Sequence, residues 1–187
     1  VRWQSYEPAF VSVAQNLRRQ ARSRGAQRWK LGFDYAAMLS ASGLDLFVFL
    51  TQQAGQAETF TIQVPELSRG TSQAGASVAL VGAHSAGATF LSVNGTSTPT
   101  AFVIGKGEFL TVAGSAKVYM ATANVTAVGS AATIPIYPRL VESLSGGAIL
   151  TLVDVPFQVA LSSDVPEYVR GFNTIIQPFS LAMIEAV

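Results

Sequence analysis

The sequence predicts a mainly β protein with one short helix, in which a small β-barrel is inserted into a discontinuous first domain. Three observations predict it. Apolar and polar residues alternate with a period of two near the amino terminus. From residue 68 to about 157 the texture changes to short Val, Ile, Ala and Thr runs cut by Gly, Ser and Asn. An apolar run at 175–185 then resumes and can return to the sheet with which the chain began.

The elements follow in order. Leu17, Arg19 and Ala21 alternate with Arg18, Gln20 and Arg22; Ser23, Arg24 and Gly25 supply a turn; Trp29, Leu31, Phe33 and Tyr35 alternate with Lys30, Gly32 and Asp34. This predicts a β-hairpin with one buried face, in which Trp29, Phe33 and Tyr35 are core residues first and a glycan platform second. Ser42 with Asp45 three residues later has the form of a capping box, and Leu44, Phe47, Val48 and Thr51 fall at helical spacing until Gly55 ends the run. Phe60, Ile62 and Val64 alternate with Thr59, Thr61 and Gln63 up to Pro65, which predicts a strand. In the middle region the candidate strands are 77–83, 89–93, 108–113, 117–126, 132–137 and 148–153, with turns at Asn94-Gly95 and Gly105-Lys106-Gly107. Strands this short and this numerous predict a small barrel, and no internal repeat is expected. After Pro156 a loop holding Asp164, Pro166 and Glu167 leads into the last strand or strand pair.

Charge is distributed unevenly. Seven basic residues (Arg2, Arg18, Arg19, Arg22, Arg24, Arg28, Lys30) against the single acid Glu7 give the first thirty positions +6, and the remainder carries −5, so a net charge of +1 conceals a basic end and an acidic body. Hydrophobic residues make up 49% and charged residues 12% of the chain, and the latter is about half the usual share. Ordinary solvated surface is therefore scarce, and part of the apolar surface is expected to be covered by other subunits. No apolar run reaches the roughly 18–20 residues that span a bilayer, so no membrane partner is expected. Val1-Arg2-Trp3-Gln4 has no apolar segment behind its charge, which predicts no secretion signal, and Asn94-Gly95-Thr96 and Asn124-Val125-Thr126 are then chance matches to the glycosylation pattern. The absence of Cys excludes disulfide and thiolate chemistry.

Catalytic and cofactor chemistry find little support. The only histidine, His84, can be joined on paper with Ser85 or Ser115 and Asp154, but no Gly-x-Ser-x-Gly elbow frames a serine. A loop histidine is the expectation, and no enzyme activity is predicted. One His, no Cys and scattered carboxylates (Asp45, Glu58, Glu66) predict no metal site. Gly105-x-Gly107 lacks the third glycine and the helix of a dinucleotide fingerprint, and no P-loop is present, so no cofactor is expected.

The arginine cluster carries the functional reading. On a strand, Arg18, Arg22 and Arg24 share one face, where they meet an acidic protein surface first, solvent second and nucleic acid third. Without a series of stacking aromatics, sequence-specific nucleic-acid recognition is not expected. Trp3 and Tyr6, placed ahead of regular structure, are the aromatic candidates for contact with a neighbouring subunit.

The order of short motifs brings a family into view. Arg2-Trp3 and Pro8-Ala9-Phe10-Val11 precede Gly25-Ala26-Gln27-Arg28-Trp29, Leu46-Phe47-Val48-Phe49-Leu50 and Glu58-Thr59-Phe60-Thr61. Gly107-Glu108-Phe109-Leu110, Lys117-Val118-Tyr119-Met120, Asn124-Val125-Thr126-Ala127, Ile136-Tyr137-Pro138-Arg139-Leu140 and Val155-Pro156-Phe157 follow. Over nearly its whole length this chain resembles the distal tail (Dit) proteins, minor tail proteins of long-tailed, non-contractile phages. Where relatives often read Gly-Asp before the aromatic of the barrel strand, this chain has Gly107-Glu108-Phe109. The resemblance implies a β-sandwich ring domain at 1–66 plus 158–187 and an OB-like barrel inserted at 67–157. It implies a homo-hexameric ring at the tail tip of the virion, assembled in the host cytoplasm between the tail tube protein and a hub or baseplate protein. Such a ring keeps its lumen open for the tape-measure protein and DNA. Two other readings remain open: another tail or neck ring component, such as a tail terminator or tube protein, and a glycan-binding module that holds saccharide on the barrel.

Overall fold

The computed structural model describes residues 1–68, 71–72, 78–94, 102–127, 131–164, 169 and 175–187. The fold is mainly β, with one α-helix. Strands β1 (Arg2–Tyr6), β2 (Ala9–Val13), β3 (Arg19–Ser23), β4 (Arg28–Tyr35) and β5 (Met38–Leu39) lead to helix α1 (Ser40–Gln52). Next come β6 (Phe60–Gln63), β7 (Thr71–Ser72), β8 (Val78–Leu80), β9 (Phe90–Asn94), β10 (Phe102–Ile104), β11 (Phe109–Val112) and β12 (Val118–Ala121). The chain continues through β13 (Val125–Ala127), β14 (Ala131–Tyr137), β15 (Ile149–Thr151), β16 (Pro156–Leu161), β17 (Ile175–Ile176) and β18 (Phe179–Glu185). It divides into two compact units, one of Val1–Phe60 with Gln158–Val187 and one of Thr61–Phe157.

A five-stranded sheet has the order β1-β4-β18-β16-β6. Its register puts Trp3 beside Leu31, Leu31 beside Met183 and Met183 beside Leu161, so one residue from each of four strands lines up on a single face. Leu31, Met183 and Leu161 are buried there, with Trp29 and the carboxylate of Glu185, which accepts the Trp29 backbone N–H at 3.1 Å. Phe33 and Tyr35, expected in the core, are half-buried; burial raises the Tyr35 phenol above its ordinary pKa. On the other face Arg2 lies over Gly32 and reaches Asp34 at 2.7 Å. The Ser180 hydroxyl donates to the same carboxylate oxygen at 2.6 Å, and with Arg2 it holds the Asp34 carboxyl below its ordinary pKa.

Two local expectations are corrected. The predicted hairpin between the arginine strand and the Trp29 strand does not form: β3 pairs with β2, Phe10 opposite Arg22 and Val13 opposite Arg19, while β4 pairs with β1 and β18. The reason is local competition, because the β-prone run Ala9-Phe10-Val11-Ser12-Val13 is separated from β3 by a turn that closes with the Leu17 N–H on the Ala14 carbonyl at 2.9 Å. The capping box is also absent. Ser42 lies inside α1, the N-cap is Leu39, and no side chain caps the helix. The start is fixed by β5, which pairs with β17 (Met38 opposite Ile176) and leads straight into the helix. A Cβ on Gly43 would meet the fully buried Ile176, so the helix sits close on that strand. As expected, the run ends near Gly55, at φ +69°.

α1 is apolar on both sides. Gly43 and Leu50 face inward, while Leu44 and Val48 stay 47% and 48% exposed, and Asp45 is the only charged residue of the helix.

In the second unit six strands close a barrel in the order β11-β12-β14-β9-β8-β15. Leu91, Val93, Leu110, Val112, Tyr119 and Ile134 fill it without solvent contact, each side chain contributing about 1.5–3 kcal/mol relative to exposure. A three-stranded sheet, β13-β10-β7, accompanies it. The predicted strand at 117–126 is two strands, split at a turn where the Asn124 side-chain oxygen accepts the Lys106 backbone N–H at 2.7 Å. Gly105 and Gly107 are turn glycines, as expected: the Glu108 carboxylate accepts the Gly105 N–H at 2.7 Å, and Gly107 has φ +90°.

Contrary to expectation, the barrel contains a repeat. Gly87, Gly107 and Gly147, with φ of +88°, +90° and +82°, are each followed three or four residues later by an apolar-polar-apolar triplet, Leu91-Ser92-Val93, Leu110-Thr111-Val112 or Leu150-Thr151-Leu152, whose two apolar members are buried. Two of the turns leading into these strands match further, His84-Ser85-Ala86-Gly87-Ala88 against Leu144-Ser145-Gly146-Gly147-Ala148. His84 and Leu144 face each other as an antiparallel bridge, exchanging N–H···O bonds of 2.9 and 2.8 Å, which makes the pair a local two-fold.

Candidate functional site

The sequence signals converge on residues 9–24, the hairpin of β2 and β3. Every residue of both strands is exposed, so neither face of the hairpin is covered by the rest of the chain, where the alternation had predicted one buried face. A two-stranded ribbon with no covered face is marginal by itself, and this one is held by its turns. The Ala14 N–H donates to the Arg18 carbonyl at 3.0 Å, the Arg18 N–H to the Asn16 side-chain oxygen at 3.2 Å, and the Arg24 N–H to the Pro8 carbonyl at 3.1 Å.

The pairing gives the ribbon two unlike faces. Ala9, Val11 and Val13 of β2 lie opposite Ser23, Ala21 and Arg19, an apolar face with one cation at its far end. Phe10 and Ser12 lie opposite Arg22 and Gln20 on the other face. The Arg24 guanidinium sits 4.2 Å from the centre of the Phe10 ring, which brings Arg22 and Arg24 together as expected. Arg18 lies in the turn before β3. Arg18, Arg19, Arg22 and Arg24 have no ion-pair partner among the described residues, so they form a cationic group on the ribbon.

Trp3 and Tyr6, expected ahead of regular structure, are part of β1. Trp3 is 40% exposed and tilts against Trp29 with ring centres 5.8 Å apart; Tyr6 is 47% exposed beneath the Lys30 ammonium, 4.2 Å away. Both therefore show one side to the chain and one to solvent.

The residue that the sequence reading missed is Leu17. It is 84% exposed at the tip of the hairpin and has φ +61°, a left-handed conformation that favours Gly or Asn over a branched side chain. Its backbone is strained and its side chain is bare. Asn16 was the available signal, because an Asn beside the tip marks a turn there, ahead of the one at Ser23-Arg24-Gly25.

The paper triad around His84 is not assembled. His84 is buried, its Nε2 accepts the Ser92 backbone N–H at 2.8 Å, and its Nδ1, which then carries the ring proton, has no hydrogen-bond partner. Among the described residues no three His, Asp or Glu side chains are grouped to hold a metal ion, and no helix is long and apolar enough to cross a membrane. No known protein family's sequence pattern matches the chain, and no characterised protein matches it significantly.

Proposed function

We propose that this chain is a structural subunit of a phage tail, a distal tail ring protein whose copies close into a hexameric ring between the tail tube and the tip hub. The observation that carries the reading is the hairpin: a ribbon exposed on both faces, holding arginines without ion-pair partners among the described residues, on a chain whose remainder is acidic. Such an arm is costly in isolation and useful in an assembly. The second unit, with its closed barrel, supports the same reading, because an OB-like module carried on a ring-forming domain is the arrangement that the motif order implies.

The mechanism is geometric. The first unit supplies the ring, the arms join neighbouring copies and the last ring of the tube, and the open lumen passes the tape-measure protein and then DNA without specific capture. Reversing Arg18, Arg22 and Arg24 to Glu is expected to abolish incorporation into tails while the isolated chain keeps its circular dichroism spectrum. Normal incorporation of that variant would refute the assignment. Gold-labelled antibody on purified particles tests the position: label at the tail end supports the distal ring, and label at the head–tail junction or along the tube replaces it with a terminator or tube role.

A further inference from the structure

A second surface of the first unit matches the arm. α1 turns Leu44 and Val48, one turn apart, to solvent beside the buried Gly43 and Leu50, so an apolar stripe of the helix is left bare. A stripe of that kind ordinarily faces a packed surface. Its carboxyl-terminal end is negative: no basic residue occupies the last turn, the Glu58 backbone N–H donates to the Gln53 carbonyl at 3.2 Å, and Asp164 lies against Gly55, accepting the Gln56 N–H at 3.3 Å. Glu58 and Asp164 are both exposed, and neither has an ion-pair partner among the described residues. The helix dipole adds to this negative charge.

We propose that the apolar face of the β2–β3 hairpin of one copy seats on the outward face of α1 of a second copy, Val11 and Val13 against Leu44 and Val48, with Arg19 reaching the carboxylates at the end of the helix. This contact rests on the ring reading and names its interface. Three observations select a second copy as the occupant. The arm's apolar face has a cation at one end, and the helix's apolar face ends in acids that have no such partner among the described residues. Both surfaces are bare in the same chain, so the arm does not cover its own helix. Arm and helix are different patches, so the contact repeats head-to-tail around a closed ring, as the ring reading requires. Leu17, strained at the tip, is the anchor beyond the strand pair.

The chain has no cysteine, so thiol cross-linking is clean. Val11→Cys chains mixed with Val48→Cys chains are expected to join through a short thiol cross-linker, while the mass of the unmodified chain is followed by sedimentation. Leu17→Gly relieves the left-handed strain, and it is expected to keep or raise the melting temperature while weakening association about tenfold or more. Arg19→Glu is expected to weaken association, and Arg19→Glu combined with Glu58→Arg to restore it. If the chain associates but the Val11 and Val48 thiols do not join, or Leu17→Gly associates normally, the arm-on-helix contact is wrong and the ring reading stands. A chain that stays monomeric at every concentration and is absent from tail particles overturns both.

Discussion

Replacing Gly146 by Ala tests whether the two matched turns of the barrel close on each other as described. A Cβ at Gly146 would stand 3.0 Å from both the Cα and the carbonyl carbon of Gly82 and 3.2 Å from its nitrogen. Carbon atoms rest at about 3.5–4.0 Å, so the turns must separate by roughly half an ångström. The atoms in the way are backbone and cannot swing aside as a side-chain end would. The separation stretches the bonds that tie these turns, the His84–Leu144 pair at 2.9 and 2.8 Å, Gly87 N–H to the Leu140 carbonyl at 2.7 Å, and Gly147 N–H to the Leu80 carbonyl at 2.9 Å. Insertion of one carbon into a packed site of this kind costs about 1–3 kcal/mol. For a chain of this length the melting temperature should fall by roughly 2–12 °C. Calorimetry measures the fall, and native-state hydrogen exchange at the His84 and Leu144 amides shows whether the opening is local to the bridge. Both tryptophans, Trp3 and Trp29, belong to the first unit, so their fluorescence separately reports that unit. Stability within about 0.5 kcal/mol of the parent, with unchanged exchange at both amides, would show that the turns do not approach as described.

His84→Ala removes the acceptor of the Ser92 N–H and should cost about 1–3 kcal/mol in urea unfolding; His84→Leu, which copies the residue at the matched position and removes the unpartnered Nδ1, should cost less. Equal stability of His84→Ala and the parent would dismiss the Ser92 bond as a contributor. Asp34 tests the electrostatics of the first sheet. Its carboxyl is held below its ordinary pKa by Ser180 and Arg2, so its contribution is present above the unfolded-state value near about 4 and is lost as pH falls through the lower folded value. The urea midpoint of Asp34→Asn should therefore lie below the parent's at neutral pH and converge with it in acid; a constant difference across pH would refute that linkage.

Much of the fold was legible because alternation is a local property. The barrel strands were marked by Val, Ile and Thr between turn residues, and the return of the last strand was marked by its apolar run, realised as Leu181 beside Phe33 and Met183 beside Leu31. Partnership is not local. Nothing in the alternation of residues 17–22 tells whether they pair upstream with Ala9–Val13 or downstream with Arg28–Tyr35; a turn around Asn16 decides it. β16 was read as a loop because Asp164 and the prolines dominated the composition after Pro156, although Val159, Ala160 and Leu161 are buried. The repeat escaped notice because its glycines stand twenty and then forty residues apart, with one extra residue before the first leucine. At the candidate site the arginines were visible as a cluster. The opposite apolar face was hidden by the wrong partner strand, and Leu17 was hidden because a left-handed backbone leaves no mark when the residue is leucine.

The chain leaves the five-stranded sheet at β6 and re-enters it at β16, and these strands are neighbours in that sheet. Adjacent strands lie about 4.8 Å apart, and the Gln158 side-chain N–H donates to the Thr59 hydroxyl at 3.2 Å, so the intervening segment starts and finishes at nearly the same place. For such a closure the entropy grows only with the logarithm of length, about 0.6 kcal/mol for each doubling. The frame is therefore almost indifferent to the size of what it carries. A module half or twice as large could be spliced between the same two strands, by evolution or by design, and the sheet would register the exchange as a small change in loop closure.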